Sequence, residues 1–129
     1  MSVEIGTKGY KEEMVTAEKT AEAVGSGSLP VYATPMMAAL IELAACSSVQ
    51  AQLEPGQTTV GTQLNISHLS ATPVGMKVWA ETELTAVDRR KLTFSVKTYD
   101  EKGLIGEGSH ERFIIDCEKF MAKCQSKLG

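Results

Sequence analysis

Cysteine, histidine and aromatic side chains are all scarce in this chain, and each scarcity removes a class of function. The three cysteines, Cys46, Cys117 and Cys124, are an odd set with no C-x-x-C pair. That argues against a disulfide framework and a thiolate zinc site, and fits a reducing, cytoplasmic setting. Aromatics make up 5% of the chain, and no basic cluster or Arg/aromatic alternation occurs, so nothing points to nucleic acid. No run of about 20 apolar residues is present, so no membrane span is expected. The N-terminus, Met-Ser-Val-Glu-Ile-Gly, lacks a basic region followed by an apolar one and does not read as a signal peptide. His68 and His110 are the two histidines. They alone carry side chains that titrate near neutral pH without perturbation, so acid–base function points to them first.

What remains is an ordinary soluble composition. With 129 residues, 43% hydrophobic and 22% charged, and a net charge of −3, the chain fits a single domain spanning 1–129. Its most apolar stretch runs from Pro35 to Cys46, and Glu42 sits in the middle of it. An ionised carboxylate buried there without a partner costs several kcal/mol. Glu42 therefore faces water, has a partner, or does chemistry.

The spacing predicts a long helix from about Pro35 to about Leu53. Thr34 suits the N-cap, Pro35 the first helical position, and Pro55-Gly56 the stop. Gly25 to Pro30 reads as a loop, Thr20 to Val24 as a short helix, and Gly9 to Val15 as an edge strand. Downstream the hydrophobic period changes from 3.6 to 2. Thr59 to Ser70 forms a strand with Val60, Thr62, Leu64, Ile66 and His68 on one face. Strands at Met76 to Val87, Leu92 to Tyr99 and Leu104 to Ile115 follow. Polar turns at Asp88–Lys91 and Asp100–Gly103 join them. A C-terminal helix over Asp116 to Leu128 has Phe120 and Met121 as its anchors. The expectation is an α+β fold in which a meander of four or more antiparallel strands wraps a central helix. A helix this apolar also needs cover that one sheet cannot supply, which predicts a homodimer or a higher oligomer.

Four local matches carry a resemblance to a known family. They are Thr34 and Glu42 eight residues apart; Leu53-Glu54-Pro55-Gly56 followed by Val60-Gly61-Thr62; His68-Leu-Ser-Ala-Thr-Pro73; and Gly108-Ser-His-Glu-Arg112 with Glu118-Lys119-Phe120 soon after. In order and spacing they resemble the hotdog fold, specifically the fluoroacetyl-CoA thioesterase type of acyl-CoA thioesterase, over roughly Val31 to Lys123. The resemblance implies a catalytic group of Thr34, Glu42 and His68. It also implies Gly61 beside the substrate and Arg112 in support of the site. It implies an acyl-CoA substrate, and no cofactor or metal besides the coenzyme A of that substrate. One departure is plain. The fluoroacetyl-specific enzyme has a longer, aromatic-rich segment ahead of its threonine. Here Gly25 to Ala33 has Tyr32 as its single aromatic.

Thioester hydrolysis needs a nucleophile or activated water, a proton carrier, and hydrogen-bond donors at the carbonyl oxygen. The amides after Thr34-Pro35, at a helix N-terminus, suit that last role, which makes Pro35 and Met36 candidate substrate contacts. Glu42 suits attack on the carbonyl or general-base action on water. His68 suits protonation of the thiolate or positioning of Glu42. Thr34 and Glu42 are about 12 Å apart along an ideal helix axis, too far for contact. So the helix starts late, the threonine comes from another subunit, or the two act on different parts of the substrate. Plainer roles stand beside these. Thr34 is also read as a simple N-cap, His68 and His110 as ordinary strand histidines, and Arg112 as half of an ion pair. Cys46 is read as a small apolar residue, Met36-Met37 as packing, and Arg89-Arg90-Lys91 as a solvated turn or a contact for coenzyme A phosphates. Two other functions compete. One is a hotdog hydratase or dehydratase, for which no D-x-N-P-x-x-H pattern is present. The other is a non-catalytic acyl-CoA binding module.

Overall fold

A computed structural model describes residues 2–129. One curled antiparallel sheet holds β1 (Lys8–Met14), β2 (Gln57–His68), β3 (Lys77–Asp88), β4 (Lys91–Asp100) and β5 (Gly103–Asp116), in the order β1-β3-β4-β5-β2. A short helix α1 (Ala21–Val24) precedes the long helix α2 (Thr34–Gln50), and α3 (Cys117–Gln125) closes the chain. This is the α+β arrangement that the period change predicts.

The core lies between α2 and the concave face of the sheet. Met37, Leu40, Ile41, Ala44, Ala45 and Val49 recur at helical spacing and are all buried. They meet Val78, Ala80 and Leu84 of β3 and Leu92, Phe94 and Val96 of β4, the inward-facing sets expected from alternation. The helix lies very close to the sheet edge. A Cβ at Gly9 of β1 would fall 2.5 Å from the Ala44 carbonyl oxygen. Only glycine fits at that crossing.

Five expectations need correction. The strands are not one continuous meander: β3, β4 and β5 are, but β2 pairs with β5 at the far edge and not with β3. The segment between β2 and β3 runs instead past the start of α2, with Val31 bridged to Pro73. Second, β2 does not keep one inward face. Its register shifts between Gly61 and Gln63, where Thr62 is an extra residue. A bulge of this kind exchanges the two faces. Thr59 and Gly61 therefore face inward before it, and Leu64 and Ile66 pack on the core after it. Val60 and Thr62 do not share the face of His68. Third, Thr34 is the first residue of α2, and Ala33 is its N-cap. The Thr34 hydroxyl is engaged elsewhere, and the Ala33 carbonyl accepts from both Met36 and Met37 amides at 3.0 Å. Fourth, α2 ends at Gln50, and a turn carries the chain on to a buried Leu53. Fifth, α3 has no buried residue, and Phe120 and Met121 are exposed. Among the elements it touches β5 and the helical turn that follows it, which leaves its apolar side uncovered.

Candidate active site

Two groups of side chains stand at the two ends of the predicted site. The first joins Thr34, at the start of α2, to His68, at the end of β2. Thr34 Oγ1 lies 2.7 Å from His68 Nδ1. Burial lowers the His68 pKa, opposed in part by the Ser70 backbone, so the ring is neutral at pH 7. Its Nε2 is buried and has no hydrogen-bond partner among the described residues. If the threonine hydroxyl donates to Nδ1, Nε2 carries a proton to give; if Nδ1–H donates, Nε2 is a free base. Either state suits a proton carrier.

Main-chain bonds hold this pair in register. The Tyr32 amide donates to the Thr72 carbonyl at 2.9 Å, beside the Val31–Pro73 bridge. Thr72, fully buried, donates its hydroxyl to Asp100 Oδ2 at 2.7 Å. The Lys102 amide donates to the other carboxylate oxygen at 2.8 Å. The segment that follows His68 is thus tied both to the segment that precedes Thr34 and to the β4–β5 turn. Tyr32 is buried, and its hydroxyl donates to Glu13 Oε2 at 2.6 Å. Burial and the Glu13 carboxylate push its phenol pKa up. It is therefore part of the frame, and it lines the hollow beside Thr34 and His68.

The second group surrounds Glu42. Arg112 of β5 is buried, yet its guanidinium is well supplied with acceptors. Nε donates to Thr59 Oγ1 at 2.7 Å and Nη2 to the Thr59 carbonyl at 2.9 Å. Nη1 lies 3.1 Å from His110 Nε2 and 3.7 Å from Glu42 Oε1. Arginine has no acceptor, so His110 Nε2 must accept and its Nδ1–H must donate to the Gln63 carbonyl, 2.8 Å away. Burial and the Arg112 charge lower the His110 pKa against the opposing influence of Gln63 and Glu42, keeping that neutral tautomer. Glu42 is thus paired in charge with Arg112 at a distance beyond a hydrogen bond. Its side chain is 44% exposed in the single chain, so it is not the desolvated carboxylate that the apolar helix suggests. Gly61 leaves room for it: a Cβ there would stand 2.9 Å from Glu42 Oε1.

The predicted residues therefore divide. Thr34 and His68 meet directly, as do Glu42, Gly61 and Arg112. The helix starts at Thr34 itself, which rules out a late start as the way to bring Thr34 to Glu42. The carbonyl donors also need revision. Pro35 has no amide hydrogen, and the Met36 and Met37 amides are taken by Ala33. The Thr34 amide is left without a main-chain partner among the described residues. Pro35 is exposed, while Met36 is half-buried against the core. Sequence reasoning missed the Thr59 and His110 contacts to Arg112. The signal was there, because His110 and Arg112 are two apart on one strand and share its inward face. No cluster of three potential metal ligands occurs among the described residues.

The model of the fluoroacetyl-CoA-specific thioesterase (FlK) family matches residues 15–118, most of the chain. The protein belongs to that family. The fluoroacetyl-CoA thioesterase of Streptantibioticus cattleyicolor is 40% identical to this FlK-family chain over 97 residues, 75% of this chain and 70% of that protein. A solved variant of the fluoroacetyl-CoA thioesterase FlK in complex with acetyl-CoA superposes with a TM-score of 0.90. It is 32% identical and covers 98% of this chain and 99% of that one. A hot-dog-like protein from Thermanaerovibrio acidaminovorans, 19% identical, shares the fold with a TM-score of 0.89 over 98% of this chain and 94% of its own. The FlK-family member thus has the hotdog fold. Among the described residues, no helix is long and apolar enough to cross a membrane.

Proposed function

We propose that this chain is a cytoplasmic acyl-CoA thioesterase. It hydrolyses a short or medium acyl-CoA thioester to the free acid and coenzyme A, with Thr34, Glu42 and His68 as its catalytic residues. The observation that carries this reading is the state of Glu42. Arg112 keeps a counter-charge 3.7 Å from the carboxylate without a hydrogen bond to it, and Gly61 clears the space in front. A carboxylate so held has its oxygens free to act on a thioester carbonyl. Glu42 either attacks that carbon and expels the thiolate, leaving an acyl anhydride for water to cleave, or removes a proton from the attacking water. In both routes the C–S bond breaks, neutral His68 takes up a proton that comes from the attacking water and passes it to the sulfur, and the Thr34 amide steadies the carbonyl oxygen.

The proposal places the complete site at a homodimer interface. Within one chain Thr34 and Glu42 are separated by about 12 Å of helix. Pro35, Ala39, Leu43 and Ser47 form an exposed stripe along α2 at four-residue spacing, and β2 is an unpaired sheet edge. A second copy would cover both and bring its own Glu42 toward Thr34 and His68. The acyl end is not capped by an aromatic ring, because Tyr32 is tied to Glu13 and Gly25 to Pro30 are exposed. That favours a range of short and medium chains over fluoroacetyl alone.

The test is thiol release over a panel of acyl-CoA chain lengths, wild type against Glu42→Ala. A general base or nucleophile contributes about 10²–10⁴-fold, so that variant should lose at least 100-fold in kcat. Undiminished turnover in it, or full activity from a strict monomer, would defeat the mechanism. Binding without hydrolysis by wild type would leave an acyl-CoA binding module.

A further inference from the structure

Glu42 and Arg112 carry opposite charges, yet they stop short of a bond. Nη1 of the guanidinium lies 3.7 Å from Glu42 Oε1. An arginine and a carboxylate that are free to approach close to about 2.7–2.9 Å, commonly through two parallel bonds. Among the described residues Glu42 is the one carboxylate within ion-pair reach of Arg112. Something in the fold therefore keeps the two apart.

Three neutral acceptors do so. The Thr59 hydroxyl takes the Nε hydrogen and the Thr59 carbonyl takes one from Nη2, which fixes one edge of the guanidinium. The nitrogen that faces Glu42 is Nη1, and its acceptor is His110 Nε2, 3.1 Å away. His110 is 1% exposed and Arg112 6%, so water does not take the place of either partner.

The ring can accept there because of β2. The Gln63 carbonyl can only accept, so it draws the single ring hydrogen to Nδ1 and leaves the Nε2 lone pair for Arg112. Gln63 directly follows the extra residue Thr62, at the register shift of β2. The bulge thus serves Glu42 twice. It places Gly61, which clears the space in front of the carboxylate, and it places the carbonyl that sets the tautomer of His110. Phe94 of β4, with its ring centroid 6.1 Å away, and Leu64 across the β2–β5 pair offer the imidazole no polar group. The charged groups that face it are Arg112 of β5 and Glu42 of α2.

We infer that His110 is a positioning residue for this reaction. By accepting from Nη1 it keeps Arg112 from capturing Glu42, so the carboxylate has a counter-charge and free oxygens together. The inference rests on the thioesterase reading for what Glu42 does. Without that acceptor Nη1 turns to Glu42, and a hydrogen bond between charged groups favours the captured, inactive arrangement by about 10- to 100-fold.

The experiment measures thiol release from acyl-CoA by wild type, His110→Gln and His110→Asn. The glutamine oxygen reaches the place of Nε2 and still accepts from Arg112, whereas the shorter asparagine amide reaches the Gln63 carbonyl alone. kcat should fall about 10- to 100-fold in His110→Asn with KM within about twofold of wild type, and should return to within about threefold in His110→Gln. In an Arg112→Met background His110→Asn should cost nothing more, because no guanidinium is left to move. An undiminished kcat in His110→Asn, equal losses in the two amide variants, or an additive loss in the Arg112→Met background would overturn the inference. His110→Phe, which fills the site with a ring that has no acceptor, takes the place of His110→Asn if that chain does not fold. If wild type releases no thiol from any acyl-CoA, the thioesterase reading fails instead. A crystal structure of His110→Asn then decides the positioning alone. Nη1 within about 3.2 Å of Glu42 Oε1 supports it, and a separation still at 3.7 Å ends it.

Discussion

Replacing Gly61 with alanine should separate activity from stability. The added Cβ would stand 2.9 Å from Glu42 Oε1, 3.2 Å from His110 Cε1 and 3.3 Å from Arg112 Nη1. Ordinary contact begins near 3.4 Å, so the Glu42 carboxylate must withdraw by about 0.5 Å, and the other two groups by a tenth or two. Glu42 is the free end of a long, half-exposed side chain and can move at little cost. The Gly61 backbone is not in the left-handed region, so alanine fits it and should gain about 0.4–1 kcal/mol by restricting the unfolded chain. Net stability should therefore stay within about 1 kcal/mol of wild type, read as the urea midpoint at constant m-value. Catalysis is less forgiving. Displacing a reacting group by about 1 Å costs on the order of 100-fold, so half that displacement should cost roughly tenfold in kcat, read by thiol release. A variant with wild-type kcat would show that the position of Glu42 before Gly61 does not matter. A variant destabilised by several kcal/mol would show that the space around Glu42 is rigid.

Two further outcomes follow from the buried polar groups. The folded-state pKa values of His68 and His110 are both lowered, so the folded protein resists their protonation and the unfolded chain does not. Stability is fully present above the unfolded histidine value of about 6.5 and falls as pH drops through the lowered values. Urea midpoints between pH 8 and 5 should be flat and then decline, and a rise on acidification would contradict the burial of these rings. Thr72→Val leaves Asp100 Oδ2 without its 2.7 Å donor in a buried site. It should cost about 1–3 kcal/mol by urea titration. It should also lower kcat through the loosened Thr34–His68 pair, and turnover unaffected by that loss would show that the frame does not position the pair.

Much of this was legible in the residues because burial on one side forces a period. The inward faces of β3 and β4 and the long apolar helix follow from where apolar residues recur. Strand β2 resisted because a bulge leaves no mark in composition: Gly61-Thr62-Gln63 continues the alternation on paper while the backbone skips a residue. Its pairing with β5 was equally hidden, since both neighbours of β5 offer the same alternating pattern. In the candidate site, Thr34, Glu42, His68, Gly61 and Arg112 were found through spacing and resemblance. Their division into two groups was not, because it depends on where the α2 helix begins. Thr34 looked like a cap because its type suits one, but the His68 ring competes for the same hydroxyl.

The strand order also bears on how the molecule assembles. The β3–β4 and β4–β5 pairs close over turns of two residues and need little loop entropy. Strand β2 reaches β5 only across two whole strands, pairing His68 with Gly106 and Gly61 with Arg112. It holds an edge position with one neighbour. Non-local pairings of this kind form late and open first. The strand that carries Gly61 and His68 is thus secured in folding after the β3–β4–β5 meander, and the site is completed only once that scaffold exists.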